Sequence, residues 1–144
     1  MSRLVGLSIR QPWLDLIIHG KKTIELREWV VMWRGPIALH AAWEIDWKAA
    51  ALFGYDRPFD LPRGEIVGRA EIVDSVELDR ESWYRLVDRH WVIHPLTRGV
   101  YAAFLENVKP LSNRIRVKGK QYFFSLPDSV IDEINRQLGT STET

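Results

Sequence analysis

The chain has 144 residues, 46% of them hydrophobic and 27% charged, which suits one domain with a real core and argues against disorder. Its formal net charge is only +1, so any attraction to an acidic partner must come from where the charges sit rather than from their sum. There is no cysteine, which excludes thiolate metal sites and a cysteine nucleophile and favours an intracellular, cytoplasmic setting over a disulfide-bonded secreted one. The first residues lack the apolar core of a signal peptide, and no apolar run approaches the ~20 residues that span a bilayer.

In chain order, Val5 to Ile9 reads as a first strand. Pro12 suits the first position of a helix that Gly20 closes, with Trp13, Leu16 and Ile17 at helical spacing. Lys22 to Arg27 alternates, so as a strand it sends Ile24 and Leu26 to one face and Thr23, Glu25 and Arg27 to the other. Trp33 to Pro36 is a turn, and Ile37 to Ala41 a strand. Asp46 is placed to cap a helix from Trp47 to about Phe53, and Tyr55 to Pro62 reads as a loop. Glu65 to Leu78 is a long strand bent at Gly68. Asp79 caps a helix running to about Arg89. Val100 to Leu105 and Lys120 to Leu126 are two more strands, and Pro127 to Leu138 is an amphipathic helix whose apolar side is Val130, Ile131, Ile134 and Leu138. The expectation is a single α+β domain over residues 1–139 with a flexible tail at 140–144. Five to six strands without regular βαβ alternation suit a small, partly closed barrel decorated with short helices.

Two constellations carry chemistry. Strand spacing puts Glu25 and Arg27 about 7 Å apart on one face, and Lys22 lies at the junction with the preceding helix. A guanidinium fork suits phosphate or a base edge, and a carboxylate suits an exocyclic amine; the same groups also make an ordinary surface ion pair. Second, Arg114, Arg116, Lys118 and Lys120 occupy alternate positions of the run from Lys109 to Lys120, which contains no acid. In an extended chain all four project to one side at a repeat of about 6.7 Å, close to the phosphate spacing of a single strand, while Ile115 and Val117 face inward. Lysines on an exposed sheet edge, which discourage aggregation, make the same pattern. Trp29, Trp33, Trp43, Trp91 and Tyr101 are aromatics available for stacking or for the core. His90 and His94 have i, i+4 spacing but no acidic partner, so no metal is expected, and no phosphate loop or dinucleotide fingerprint calls for a cofactor.

The segment Leu7-Ser8-Ile9-Arg10-Gln11-Pro12-Trp13, followed by Gly20-x-Lys22-x-x-Glu25-x-Arg27, resembles the ASCH (activating signal cointegrator homology) family. Trp33-Arg34-Gly35, Gly64 to Asp74, Tyr101 to Val108 and Val117-Lys118-Gly119 extend the resemblance from about Leu4 to Pro127. It implies a PUA-like β-barrel with a cleft beside the first helix, lined by Arg10, Gln11, Trp13, Lys22, Glu25 and Arg27. The implied partner is RNA or single-stranded DNA, with Arg116, Lys118 and Lys120 guiding the backbone. A bacterial branch of the family that cleaves acylated cytidines has a threonine where this chain has Glu25. The implied alternative is therefore a hydrolase of a modified nucleoside or of RNA, with Lys22 polarising the substrate and Glu25 activating water. A protein-interaction domain is the third reading.

Overall fold

The computed structural model describes residues 3–140. Six strands form one mixed sheet: β1 (Val5–Gln11), β2 (Ile24–Arg27), β3 (Gly35–Ile45), β4 (Glu65–Leu78), β5 (Val100–Arg116) and β6 (Phe123–Phe124). Their spatial order is β2-β5-β4-β3-β1-β6, with only the β1–β3 pair parallel. Five short helices accompany the sheet: α1 (Trp13–Ile18), α2 (Trp47–Leu52), α3 (Arg80–Arg85), α4 (Val87–His90) and α5 (Asp128–Leu138). The α+β class and the short decorating helices match expectation; the small, partly closed barrel is not confirmed. β2 pairs only with β5, and β6 only with β1, so the sheet is not closed. With four and two residues, these end strands have too little backbone to close a ladder between them.

Strand alternation builds two cores. On one face Leu7, Ile9, Ile37, Leu39 and Ala41 pack against Leu14 and Ile17 of α1. On the other face Leu4, Ala38, Ile66 and Phe124 pack against Ile131 and Ile134 of α5. Gly6 lies on that second face because a Cβ there would meet the Phe124 ring at 2.4 Å. A third cluster, including Ile24, Leu78, Trp83 and Val100, closes the end beyond α3 and α4.

Several boundaries differ from the sequence reading: β1 runs on to Gln11, β2 starts only at Ile24, and β3 spans Gly35–Ile45. β5 runs on through Pro110 to Arg116, because register shifts against β4 absorb the proline and the left-handed Asn107. Gln137 of α5 clamps the bulged stretch, bonding both the N–H and the carbonyl of Asn113 at 3.0 and 2.9 Å. The strand expected over Lys120 to Leu126 shrinks to Phe123–Phe124, since Tyr122 has a left-handed φ of 60°. The helix after Asp79 breaks at Leu86, whose φ of −101° and ψ of 12° end α3 and start α4. Asp46 and Asp79 cap α2 and α3 as read. Thr140 is tied to Asn135, and the rest of the expected tail lies outside the described residues.

Candidate nucleic-acid interface

The signature residues lie together at the seam between the two ends of the sheet. Period-2 alternation on β2 puts Glu25 and Arg27 on one side, and Arg27 Nη2 donates to Glu25 Oε2 at 2.8 Å. The same nitrogen donates to the carbonyl of Ser8 on β1 at 2.8 Å. β6 pairs with β1 only at Gly6 and Leu7, so the next carbonyl on that edge is open to the guanidinium. Arg27 therefore bridges the open seam that backbone pairing leaves.

Behind this pair Lys22 is buried, 2% exposed, as is Glu25 at 7%. Lys22 Nζ donates to the carbonyl of His90 at 2.6 Å, stands 3.6 Å from Glu25 Oε1 and sits 4.9 Å from the centre of the Trp13 ring. Burial pulls its pKa from an ordinary 10.5 down to about 8, against the opposing pull of the Glu25 carboxylate. Gln11 is buried too: its amide nitrogen donates to the carbonyl of Pro62 at 3.1 Å, and its amide oxygen accepts from the N–H of Asp15 at 2.9 Å. Trp13 is half-buried and donates through Nε1 to Asp46 at 3.0 Å. Lys22, Glu25, Gln11 and Trp13, expected to line a cleft together with Arg10 and Arg27, are not among the residues lining the groove that holds those two arginines.

The accessible site is a groove of about 870 Å³ that Arg27 and Ser8 both line. One wall comes from β1 and β3, with Ser8, Arg10, His40 and Glu44; the segment from Arg116 to Tyr122 lines the rest, packing onto that wall where Gly119 meets Ser8 and Val117 meets His40. Arg27 and Trp29 close one end, and Trp43 lines it as well. Five cations, Arg10, Arg27, Arg116, Lys118 and Lys120, face a single lining carboxylate, Glu44. Arg10 is shared with Asp46 at 3.7 Å and Arg27 with Glu25, whereas no ion pair engages Arg116, Lys118 or Lys120 among the described residues. The predicted alternation holds from Arg114 to Lys120, with all four cations exposed and Ile115 and Val117 turned inward. Arg114 nevertheless lies outside the groove, 3.8 Å from Glu65. Trp29 is fixed edge-on against Tyr122 and Phe123, at 5.1 and 5.5 Å.

Sequence reading missed Ser8, His40 and Gly119. In the parallel β1–β3 register Ser8 is the direct partner of His40, 32 positions away. Ser8 Oγ lies 2.7 Å from His40 Nδ1, and His40 Nε2 lies 2.6 Å from the carbonyl of Val117. Gly119 passes so close that a Cβ would meet Ser8 Oγ at 2.3 Å and the imidazole at 2.5 Å. Only knowledge of the strand pairing reveals this contact, because no local spacing encodes it. His90 and His94 do not converge on a shared ligand site: Nε2 of His90 bonds the carbonyl of Trp83 and Nδ1 accepts from Val92, while His94 Nδ1 contacts the carbonyl of Pro95.

The ASCH domain family matches residues 7–114, three quarters of the chain. The protein belongs to the ASCH family. Solved structures agree at the level of fold. The ASCH protein of Zymomonas mobilis is 17% identical, with a TM-score of 0.65 over 98% of this chain and 96% of that one. A serine-to-alanine mutant of the same protein is 15% identical, with a TM-score of 0.67 over 94% and 96%. A tyrosine-to-phenylalanine mutant is 16% identical, with a TM-score of 0.66 over 92% and 96%. No curated protein matches the chain. Arg116, Lys118 and Lys120 fall beyond the matched span. No helix among the described residues is long and apolar enough to cross a membrane.

Proposed function

We propose that this ASCH domain binds single-stranded RNA or DNA in the groove between the β1–β3 wall and the segment from Arg116 to Tyr122. The observation that carries the reading is the wall itself: Arg116, Lys118 and Lys120 face the groove without carboxylate partners, beside the aromatic rings of Trp29, Trp43 and Tyr122. A row of unpaired cations tracks a phosphodiester backbone, and flanking rings take the faces of the bases; each base stacked is worth about 1–3 kcal/mol. Trp43 is 65% and Tyr122 55% exposed, leaving ring surface for stacking. Arg27, held by Glu25, presents a fixed guanidinium at the groove's end, and Arg10 stands at the β1 wall. Lys22, Glu25, Gln11 and Trp13 act in this reading by fixing that wall from behind.

The alternative is hydrolysis of a modified nucleoside or of RNA by Lys22 and Glu25, and it requires a substrate to reach two side chains that are almost fully buried. Binding is therefore the stronger reading. Its test is a fluorescence titration of short single-stranded oligonucleotides against wild type, Lys118→Ala, Lys120→Ala and Lys109→Ala. Lys109 is in the same basic run but lies on β5 outside the groove. Affinity is expected to fall for the first two variants and to hold for the third. Equal losses in all three would mean nonspecific attraction to the surface and would refute the groove.

A further inference from the structure

We propose that Ser8 and His40 form a nucleophile–base pair that transfers the acyl group of a carboxylate ester carried on a nucleotide. The substrate class rests on the groove being a nucleic-acid site; the reactivity of Ser8 does not.

The proton positions follow from the partners. The Val117 carbonyl only accepts, so the His40 nitrogen 2.6 Å away, Nε2, carries the hydrogen. Nδ1 then holds a lone pair, and at 2.7 Å it accepts the Ser8 hydroxyl proton. The result is a serine aimed at a base whose tautomer is fixed by a third group, the arrangement that activates a hydroxyl. Burial holds the imidazole below its usual pKa, against the raising effect of the Val117 carbonyl, so the base is neutral near pH 7. The charged groups lining the groove with the pair are Arg10 on β1, Arg27 on β2, Arg116 on β5, Lys118 and Lys120 beyond it, and Glu44 on β3 itself. Most are cations, which favour the neutral ring.

Geometry also favours reaction in the groove. Ser8 and His40 both line it. Gly119 leaves room for the hydroxyl that any side chain at that position would take. A carbonyl stabilises an imidazolium less than a carboxylate does. Such a pair suits an ester, whose alkoxide leaves readily, better than an amide.

In the first step Ser8 Oγ bonds to the acyl carbon and passes its proton to His40 Nδ1. The bond from the acyl carbon to the sugar oxygen breaks, and that oxygen takes the proton from Nδ1. Water then adds to the acyl-serine, giving a proton to Nδ1. The bond to Oγ breaks, Oγ is reprotonated, and a carboxylic acid and a nucleotide hydroxyl are released.

The test has two arms. Wild type, Ser8→Ala and His40→Gln are mixed with p-nitrophenyl acetate, and acetylation is located by peptide mass spectrometry. The expected result is a burst of nitrophenol with acetyl on Ser8, no adduct in Ser8→Ala, and acylation in His40→Gln slowed ~100-fold or more. The wild-type rate should rise with pH and level off above a pKa lower than that of free imidazole. No adduct on Ser8, a flat pH profile, or an undiminished rate in His40→Gln overturns the pair; the first two hold even if His40→Gln does not fold. The second arm compares an oligonucleotide bearing a 3′-O-acetyl ester with the free ester. Faster release from the oligonucleotide supports the substrate class, and equal or slower release overturns it. Failure of the groove reading appears separately, as loss of oligonucleotide binding in the titration while Ser8 still acylates.

Discussion

Replacing Lys22 by methionine tests whether the family signature is a buried electrostatic clasp. The Lys22 pKa of about 8 in the folded chain, against 10.5 when exposed, corresponds to ~3 kcal/mol between the protonation states. Its sign follows from which state loses the proton first. Between these two values the unfolded chain keeps the ammonium while the folded chain has released it, so stability rises with pH across that window. Integrated from ~pH 7 to ~pH 9.5, the gain from this group is ~2 kcal/mol. The upper limit avoids the phenol of Tyr55, which burial and the Asp15 carboxylate shift upward and which opposes the trend at higher pH. The assay is urea denaturation followed by tryptophan fluorescence at both pH values, for wild type and Lys22→Met. Wild type should gain stability and the methionine variant should lose that gain. A flat or falling wild-type profile, or an equal rise in Lys22→Met, would refute the reasoning.

Gly119→Ala changes no charge, yet its methyl group meets Ser8 Oγ at 2.3 Å, so the segment carrying Lys118 and Lys120 must move; oligonucleotide affinity should fall, and an unchanged dissociation constant would contradict the close packing. Ile134→Ala removes a fully buried side chain where α5 meets the sheet and should cost about 2–5 kcal/mol in the denaturation midpoint analysis; a loss within error would mean that α5 is not part of the core.

Much of the fold is legible in the sequence because hydrophobic period and caps are local. Asp46 and Asp79 announce their helices, and Lys22 to Arg27 announces both a strand and the side on which Glu25 meets Arg27. Burial of that cluster is not legible, since Lys22 and Glu25 look like solvent-facing charges until α1, α4 and the Trp13 ring enclose them. The length of β5 is hidden for a related reason: the sequence reading ends the strand at Leu105, and only the bulged register with β4 carries it past the left-handed Asn107 and Pro110. In the basic run alternation is visible, but the removal of Arg114 by Glu65 is a tertiary event. Ser8 and His40 are the clearest loss, because a parallel pairing over 32 residues leaves no trace in local spacing.

The central claim is that Arg116, Lys118 and Lys120 contact phosphates in the groove, and the salt dependence of single-strand binding tests it most directly. Three contacts predict that log affinity falls with log salt at a slope of about −2, and that Lys118→Ala moves the slope toward zero by about 0.7. A wild-type slope near zero, or one that Lys118→Ala leaves unchanged, would contradict the account.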